Sequence, residues 1–131
     1  MKDIESLIRE VCNCIYTVSN TLRTGFLESV YQNALYVELQ SRNIPVRKEV
    51  PISVLYHGVE VGYFKADLIV EDCLIIELKV ADELCKAHEY QLVNYLTATG
   101  IDHGLLVNFK GPKIEIKRKF RVYSPYIKGD D

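Results

Sequence analysis

Three charged residues, Asp67, Glu77 and Lys79, interrupt two otherwise apolar stretches, residues 66–70 and 74–79, within the segment 63–79. Runs this apolar read as strands in the middle of a sheet, covered on both faces. A turn at Glu71-Asp72-Cys73 sets Val70 opposite Leu74, and the same register sets Asp67 opposite Glu77. Strand alternation then places Asp67, Ile69, Ile75, Glu77 and Lys79 on one face and Leu68, Val70, Leu74, Ile76 and Leu78 on the other. Facing like charges destabilise a sheet and buried unpaired carboxylates cost more still, so the pair calls for a counter-charge. A divalent cation supplies one. Mg²⁺ or Mn²⁺ takes one or two carboxylates, keeps several waters and accepts phosphate oxygens from a substrate. Such an ion polarises a phosphoryl group and acidifies water, and a neighbouring ammonium, here Lys79, positions that water or steadies the developing charge. The backbone carbonyl of Leu78, between the two positions, is available to the same ion. The plain structural alternative is a buried Glu77–Lys79 ion pair with Asp67 at a strand edge.

Further side chains fall within reach of such a site. Gln91 and Tyr95 lie four apart, on one face of a helix that follows the strand carrying Lys79. His88, one turn earlier, is placed to meet phosphate when protonated, or to be a satisfied, partly buried histidine. Asn108 and the Lys117-Arg118-Lys119 run are candidates for a phosphate-binding rim. Glu28, three residues after Gly25, has the placement of a helix-start glutamate that caps backbone N–H groups and favours the dipole. Tyr31, one turn on, reads as packing.

The elements that must hold these residues can be read from the period of the apolar positions. Ile4, Leu7, Ile8, Val11, Ile15 and Val18 predict a helix over residues 3–20, with Asp3 as its cap. Thr24-Gly25 breaks the pattern, and a second helix is expected over 26–42, ended by Asn43-Ile44-Pro45. From Val46 the period changes to two. Residues 50–56 predict a strand, with Pro51 marking an edge or a start, and His57-Gly58 a turn. Residues 59–70 predict a strand bent at Gly62, and 74–80 a third. Asp82 is expected to cap a helix over 83–99 that stops at Gly100. Strands over 103–109 and 114–123 follow, the last with basic residues outward, and a polar tail begins at Lys128. The order is helix, helix, three strands, helix, two strands: an α/β fold with a mixed central sheet flanked by helices.

The Asp67, Glu77-x-Lys79 constellation in this order of elements resembles the PD-(D/E)XK nuclease superfamily, over most of the chain. One subgroup is similar in more detail, the small proteins with a Gly-x-x-Glu-x-x-Tyr motif, which stands here as Gly25-Phe26-Leu27-Glu28-Ser29-Val30-Tyr31. The segments 91–96 (Gln-Leu-Val-Asn-Tyr-Leu) and 104–109 (Gly-Leu-Leu-Val-Asn-Phe) resemble that subgroup too. Gln91-x-x-x-Tyr95 is similar to the helix motif of the RecB-type branch. The resemblance implies that Asp67 and Glu77 bind Mg²⁺ or Mn²⁺, that Glu28 stands beside the metal, that Gln91 sits near metal and substrate, and that Lys79 aids the attacking water.

The totals set bounds. A chain of 131 residues, 48% hydrophobic and 26% charged, suits one globular domain over residues 1–131. No apolar run approaches membrane-spanning length and the first residues carry no signal-peptide pattern, so no membrane partner and a cytoplasmic location are expected. Cys12, Cys14, Cys73 and Cys85 lack the paired spacing of a zinc site and read as reduced structural thiols, with a four-cysteine iron–sulfur cluster as the alternative. The net charge of −2 argues against strong nucleic-acid binding by the chain as a whole. Residues 110–128 nevertheless carry +6, a segment able to meet phosphate, or an edge strand guarded by lysines.

The expected function is hydrolysis of nucleic acid, DNA in the first place or RNA, by metal-activated water. A catalytically silent nuclease fold serving as a binding or regulatory module is the alternative. A small domain with one site and an exposed sheet edge is also suited to form a homodimer, giving each strand of a duplex its own site.

Overall fold

The computed structural model describes residues 3–122, so Tyr123 at the end of the expected last strand and the tail from Lys128 lie outside the described residues. Helix α1 spans Ile4–Leu22 and α2 spans Glu28–Ser41; β1 (Val46–Tyr56), β2 (Val59–Val70) and β3 (Leu74–Lys79) follow, then α3 (Lys86–Thr99), β4 (His103–Asn108) and β5 (Glu115–Phe120). The five strands form one mixed sheet in the order β1-β2-β3-β4-β5. Adjacent strands are antiparallel except β3 and β4, which run parallel because α3 carries the chain back between them.

Each face of the sheet has its own core. Leu7, Val11, Ile15 and Val18 of α1 and Tyr31, Leu35 and Leu39 of α2 pack on Leu68, Val70, Leu74, Ile76 and Leu78. Leu92, Tyr95 and Leu96 of α3 cover the opposite face, formed by Ile69, Ile75 and Leu106. The alternation expected for the β2–β3 hairpin is therefore realised, and β3 is buried on both faces as its continuous apolar run requires. Gly104 lets α3 come close: a Cβ there would lie 2.9 Å from Leu92 Cδ1.

Local chemistry explains the boundaries. Asp3 caps α1 by accepting the N–H of Ser6 at 2.8 Å. Asn43, in the left-handed region, and Pro45 end α2. The β1–β2 turn puts His57 and Gly58 at φ 50° and 76°, the twist a tight hairpin needs. Glu71 and Asp72 do the same for β2–β3, and the Cys73 N–H closes the turn on the Val70 carbonyl at 3.0 Å. The bend expected at Gly62 is a register shift where Val54 pairs with Gly62 but Leu55 with Glu60. β1 is an edge strand, which accommodates Pro51.

Five expectations are corrected. The second helix begins at Glu28, not residue 26, with Leu27 in extended backbone before it. Strand β1 begins at Val46 rather than 50. The third helix begins at Lys86, three residues later than expected, with Cys85 at its cap position. Asp82 caps nothing; its carboxylate is taken by Lys110 at 2.6 Å. The basic residues of β5 do not point outward either. Lys117 and Lys119 lie under α3, paired with Glu89 at 3.1 and 3.0 Å, and Arg118 faces α1, where it grips Glu5 at 2.8 and 2.9 Å. The cations of this edge strand thus serve ion pairs to the flanking helices, with the Lys117 side chain still 42% exposed. All four cysteines are free. Among the described residues no helix is long and apolar enough to cross a membrane.

Candidate active site

At the end of β2–β3 remote from its turn, the regular ladder stops at Leu68–Ile76 and side chains take over. The Asp67 N–H donates to Glu77 Oε2 at 2.8 Å, and the Leu78 N–H donates to Asp67 Oδ2 at 2.8 Å. The two carboxylates are thus held beside each other by each other's strand. Each uses one oxygen in this way and keeps the other without a protein partner among the described residues.

Both groups resist ionisation. Burial, followed by the charge of Asp67, pushes the Glu77 carboxyl up to about 8. Burial also raises Asp67, to about 6, against the hydrogen bond from Leu78 that favours its charged form. Glu28, the first residue of α2, is raised by burial while Lys79 pulls it down, and its charge in turn raises both strand carboxyls. The start of α2 therefore delivers a third carboxylate toward the same point. No side chain caps this helix end, so a capping bond does not account for Glu28.

Lys79, two residues beyond Glu77, donates from Nζ to Gln91 Oε1 at 3.0 Å. This bond fixes the ammonium near the carboxylates while leaving it further donors. Tyr95, one turn after Gln91, is buried against Phe64 with ring centroids 5.3 Å apart. Burial and the nearby Glu77 and Asp67 charges push its hydroxyl up to about 12, so it stays protonated.

Other sequence candidates are placed differently. His88 Nδ1 accepts the N–H of Cys85 at 3.2 Å, which ties the ring to the first turn of α3. Asn108 is buried; its Oδ1 accepts N–H groups of Ala81 and Lys110, and its Nδ2 donates to the Ala81 carbonyl and Glu115. Lys117, Arg118 and Lys119 are engaged with Glu89 and Glu5 as above. Tyr31 is packing: it stacks on Phe109 with centroids 4.6 Å apart, donates to the Arg23 carbonyl and accepts the Phe26 N–H. That anchors the loop from which Glu28 emerges.

Two residues at the site escaped the sequence reading. Gln32, buried on α2, donates from Nε2 to the Asp67 carbonyl at 3.1 Å and to Glu49 Oε2 at 3.3 Å. Its position one turn after Glu28, on the same face, was the available signal. Glu49 had none, because its backbone conformation, with φ 54°, is what brings it there.

The donor set suits a hard cation. Two free carboxylate oxygens, the Leu78 carbonyl next in chain to Glu77 and an approaching Glu28 offer oxygen only. Among the described residues no three His, Cys, Asp or Glu side chains converge tightly enough to cage an ion unaided.

Comparison with known proteins places this arrangement. No curated protein matches the chain significantly. The crystal structure of SSO0001 superposes with a TM-score of 0.58 at 21% identity, covering 92% of this chain and 60% of its own, so the present chain spans about three-fifths of that protein's length and shares its fold. The family model of the PD-(D/E)XK nuclease superfamily matches residues 5–119. Carrying the acidic pair and lysine on adjacent strands of a mixed sheet, the chain belongs to the PD-(D/E)XK nuclease superfamily.

Proposed function

We propose that this protein is a Mg²⁺- or Mn²⁺-dependent phosphodiesterase that hydrolyses nucleic acid, DNA or RNA. The observation that carries the reading is the buried Asp67–Glu77 pair, whose ionisation burial and mutual repulsion oppose, beside a lysine oriented by Gln91. The two backbone N–H bonds these carboxylates accept do not offset their mutual repulsion, and a divalent cation relieves it. Bound there, the cation supplies Lewis acidity toward phosphate and water.

The chain's own residues have distinct tasks. Asp67 and Glu77 would hold the ion, with the Leu78 carbonyl and Glu28 as further oxygen donors. Lys79 orients the attacking water and offsets charge developing on phosphate. Gln91 holds Lys79, and Tyr95 keeps the pocket apolar behind it. The Gly25–Tyr31 and Gln91–Tyr95 motifs support a place in the Gly-x-x-Glu-x-x-Tyr group with a RecB-type helix, and Tyr31 fixes the loop before Glu28.

The test is cleavage of labelled single-stranded DNA, duplex DNA and RNA with Mg²⁺, Mn²⁺ or chelator. The wild type cuts at least one substrate only with metal, and Glu77→Ala and Lys79→Ala reduce cutting by at least 100-fold while remaining folded. Equal cleavage by all three proteins overturns the assignment.

One observation favours a second reading, a silent nuclease fold acting as a binding module: the most basic strand spends Lys117, Arg118 and Lys119 on internal ion pairs rather than on a phosphate-binding rim. Calorimetry separates the two. Binding of Mn²⁺ at the Asp67–Glu77 pair supports the enzyme, and no heat at millimolar Mn²⁺ supports the module.

A further inference from the structure

The β1–β2 ribbon changes face at the site. In a regular strand, residues two apart point to the same side. Here Leu68 packs beneath α1 and α2, whereas Ala66 packs beneath α3. Opposite them, Lys48 pairs with Leu68 and Val50 with Ala66, so no residue has been inserted. The ribbon instead rolls over at the intervening pair, Glu49 and Asp67, which makes no regular ladder contact. Glu49 absorbs the roll by taking φ 54°, a left-handed conformation uncommon for a side-chain-bearing residue inside a strand.

The roll leaves the Asp67 peptide groups without their strand partners. Glu77 takes the N–H, at 2.8 Å. Gln32, reaching through from α2, takes the carbonyl at 3.1 Å and with the same Nε2 the Glu49 carboxylate at 3.3 Å. Both partners are acceptors, so the amide orientation is fixed: its two hydrogens meet two oxygens. Gln32 is 9% exposed, and its amide spans the two residues at which the ribbon turns over.

We infer that Gln32 is the positioning residue of the site, the clasp that holds the roll at Glu49 and Asp67 and thereby aims the Asp67 carboxylate. The inference rests on the proposed reading for its catalytic consequence and on the geometry alone for its structural one. Glu49 contributes the acceptor that orients the amide. Removing the clasp frees the Asp67 carbonyl and the roll that depends on it, which loosens the Asp67 carboxylate and its bond from the Leu78 N–H. Groups that orient metal-binding side chains in this way are worth about 10–100-fold in metal affinity or activity.

Gln32→Met keeps the buried volume without the donors, and Gln32→Glu keeps size and polarity without them should the first variant fold poorly. Amide hydrogen exchange on the metal-free protein is read at Asp67 and Leu78, with Ile15 in the middle of α1 as the remote reference. Exchange about 10-fold faster at Asp67 and Leu78 with Ile15 unchanged is expected in both variants, together with Mn²⁺ affinity weakened about 10–100-fold and a loss in kcat rather than KM. Glu49→Gln retains an acceptor for the amide, so exchange at both sites stays at the wild-type rate, the rescue that a role through charge would not give. Unchanged exchange at Asp67 and Leu78 in both Gln32 variants overturns the inference whatever the activity does. Absent Mn²⁺ binding and cleavage by the wild type overturn instead the nuclease reading, and the exchange result still decides the clasp.

Discussion

Replacing Glu77 by Gln should make the metal-free protein more stable at alkaline pH, the reverse of what losing a buried polar contact normally does. In the native state its carboxyl is raised from 4.5 to about 8, chiefly by burial and then by Asp67. Between those values the native state holds a proton that the unfolded chain has released, so stability falls as pH rises through the interval. At about 1.4 kcal/mol per pH unit, the full displacement has an upper limit of about 5 kcal/mol. Relaxation and water penetration in a site open to a ligand reduce this to roughly 2 kcal/mol, or on the order of 6–8 °C in Tm for a chain of this size. Gln resembles the protonated acid, so the variant escapes the penalty above pH 8 and gains nothing near pH 5. The assay is thermal unfolding in chelator at pH 5 and pH 8.5, repeated with millimolar Mn²⁺. The wild type should trail Glu77→Gln at pH 8.5 and overtake it when Mn²⁺ is added. A Tm difference that is the same at both pH values, and indifferent to Mn²⁺, refutes the picture of an uncompensated carboxylate pair.

Other perturbations probe the support around the site. Glu89, held by hydrogen bonds from Lys119 and then Lys117, has its pKa lowered to about 2; its contribution is fully present above pH 4.5 and lost as pH falls through about 2, so Glu89→Gln should be less stable than wild type in urea at pH 7 and converge with it in acid. Gln91→Leu frees the Lys79 ammonium, at the cost also of the Gln91–Tyr95 hydrogen bond, and should lower kcat about 10-fold in a cleavage assay. Tyr31→Phe removes the hydroxyl that joins Arg23 and Phe26 and should cost about 1–2 kcal/mol in chemical denaturation. Gly104→Ala forces a Cβ against Leu92 at 2.9 Å and should cost about 1–3 kcal/mol by the same measurement.

The hairpin that bears the chemistry was legible because its signals are local. Turn residues at 71–73 fix the register, and two-residue alternation then assigns every side chain from Leu68 to Leu78 to a face. Charges at Asp67, Glu77 and Lys79 stand out against that pattern without any tertiary information. What the sequence hid depends on contacts between distant segments. The lysines of β5 look like a solvated or phosphate-binding edge until α3 supplies Glu89 and α1 supplies Glu5. Asp82 has the chemistry of a helix cap, but Lys110, 28 residues later, competes for it and wins. The roll at Glu49 leaves no mark on the hydrophobic pattern, since it exchanges faces without changing register. Gln32 shares a helix face with Glu28, but its hold on Asp67 and Glu49 emerges only once α2 is docked on the sheet.

The central claim, that the Asp67–Glu77 pair exists to bind a divalent cation, is tested most directly by anomalous diffraction from crystals soaked in Mn²⁺. The account predicts a single strong peak in contact with Asp67, Glu77 and the Leu78 carbonyl, lost in Glu77→Ala. No peak at saturating Mn²⁺, or a peak bound only by residues away from β2 and β3, contradicts it.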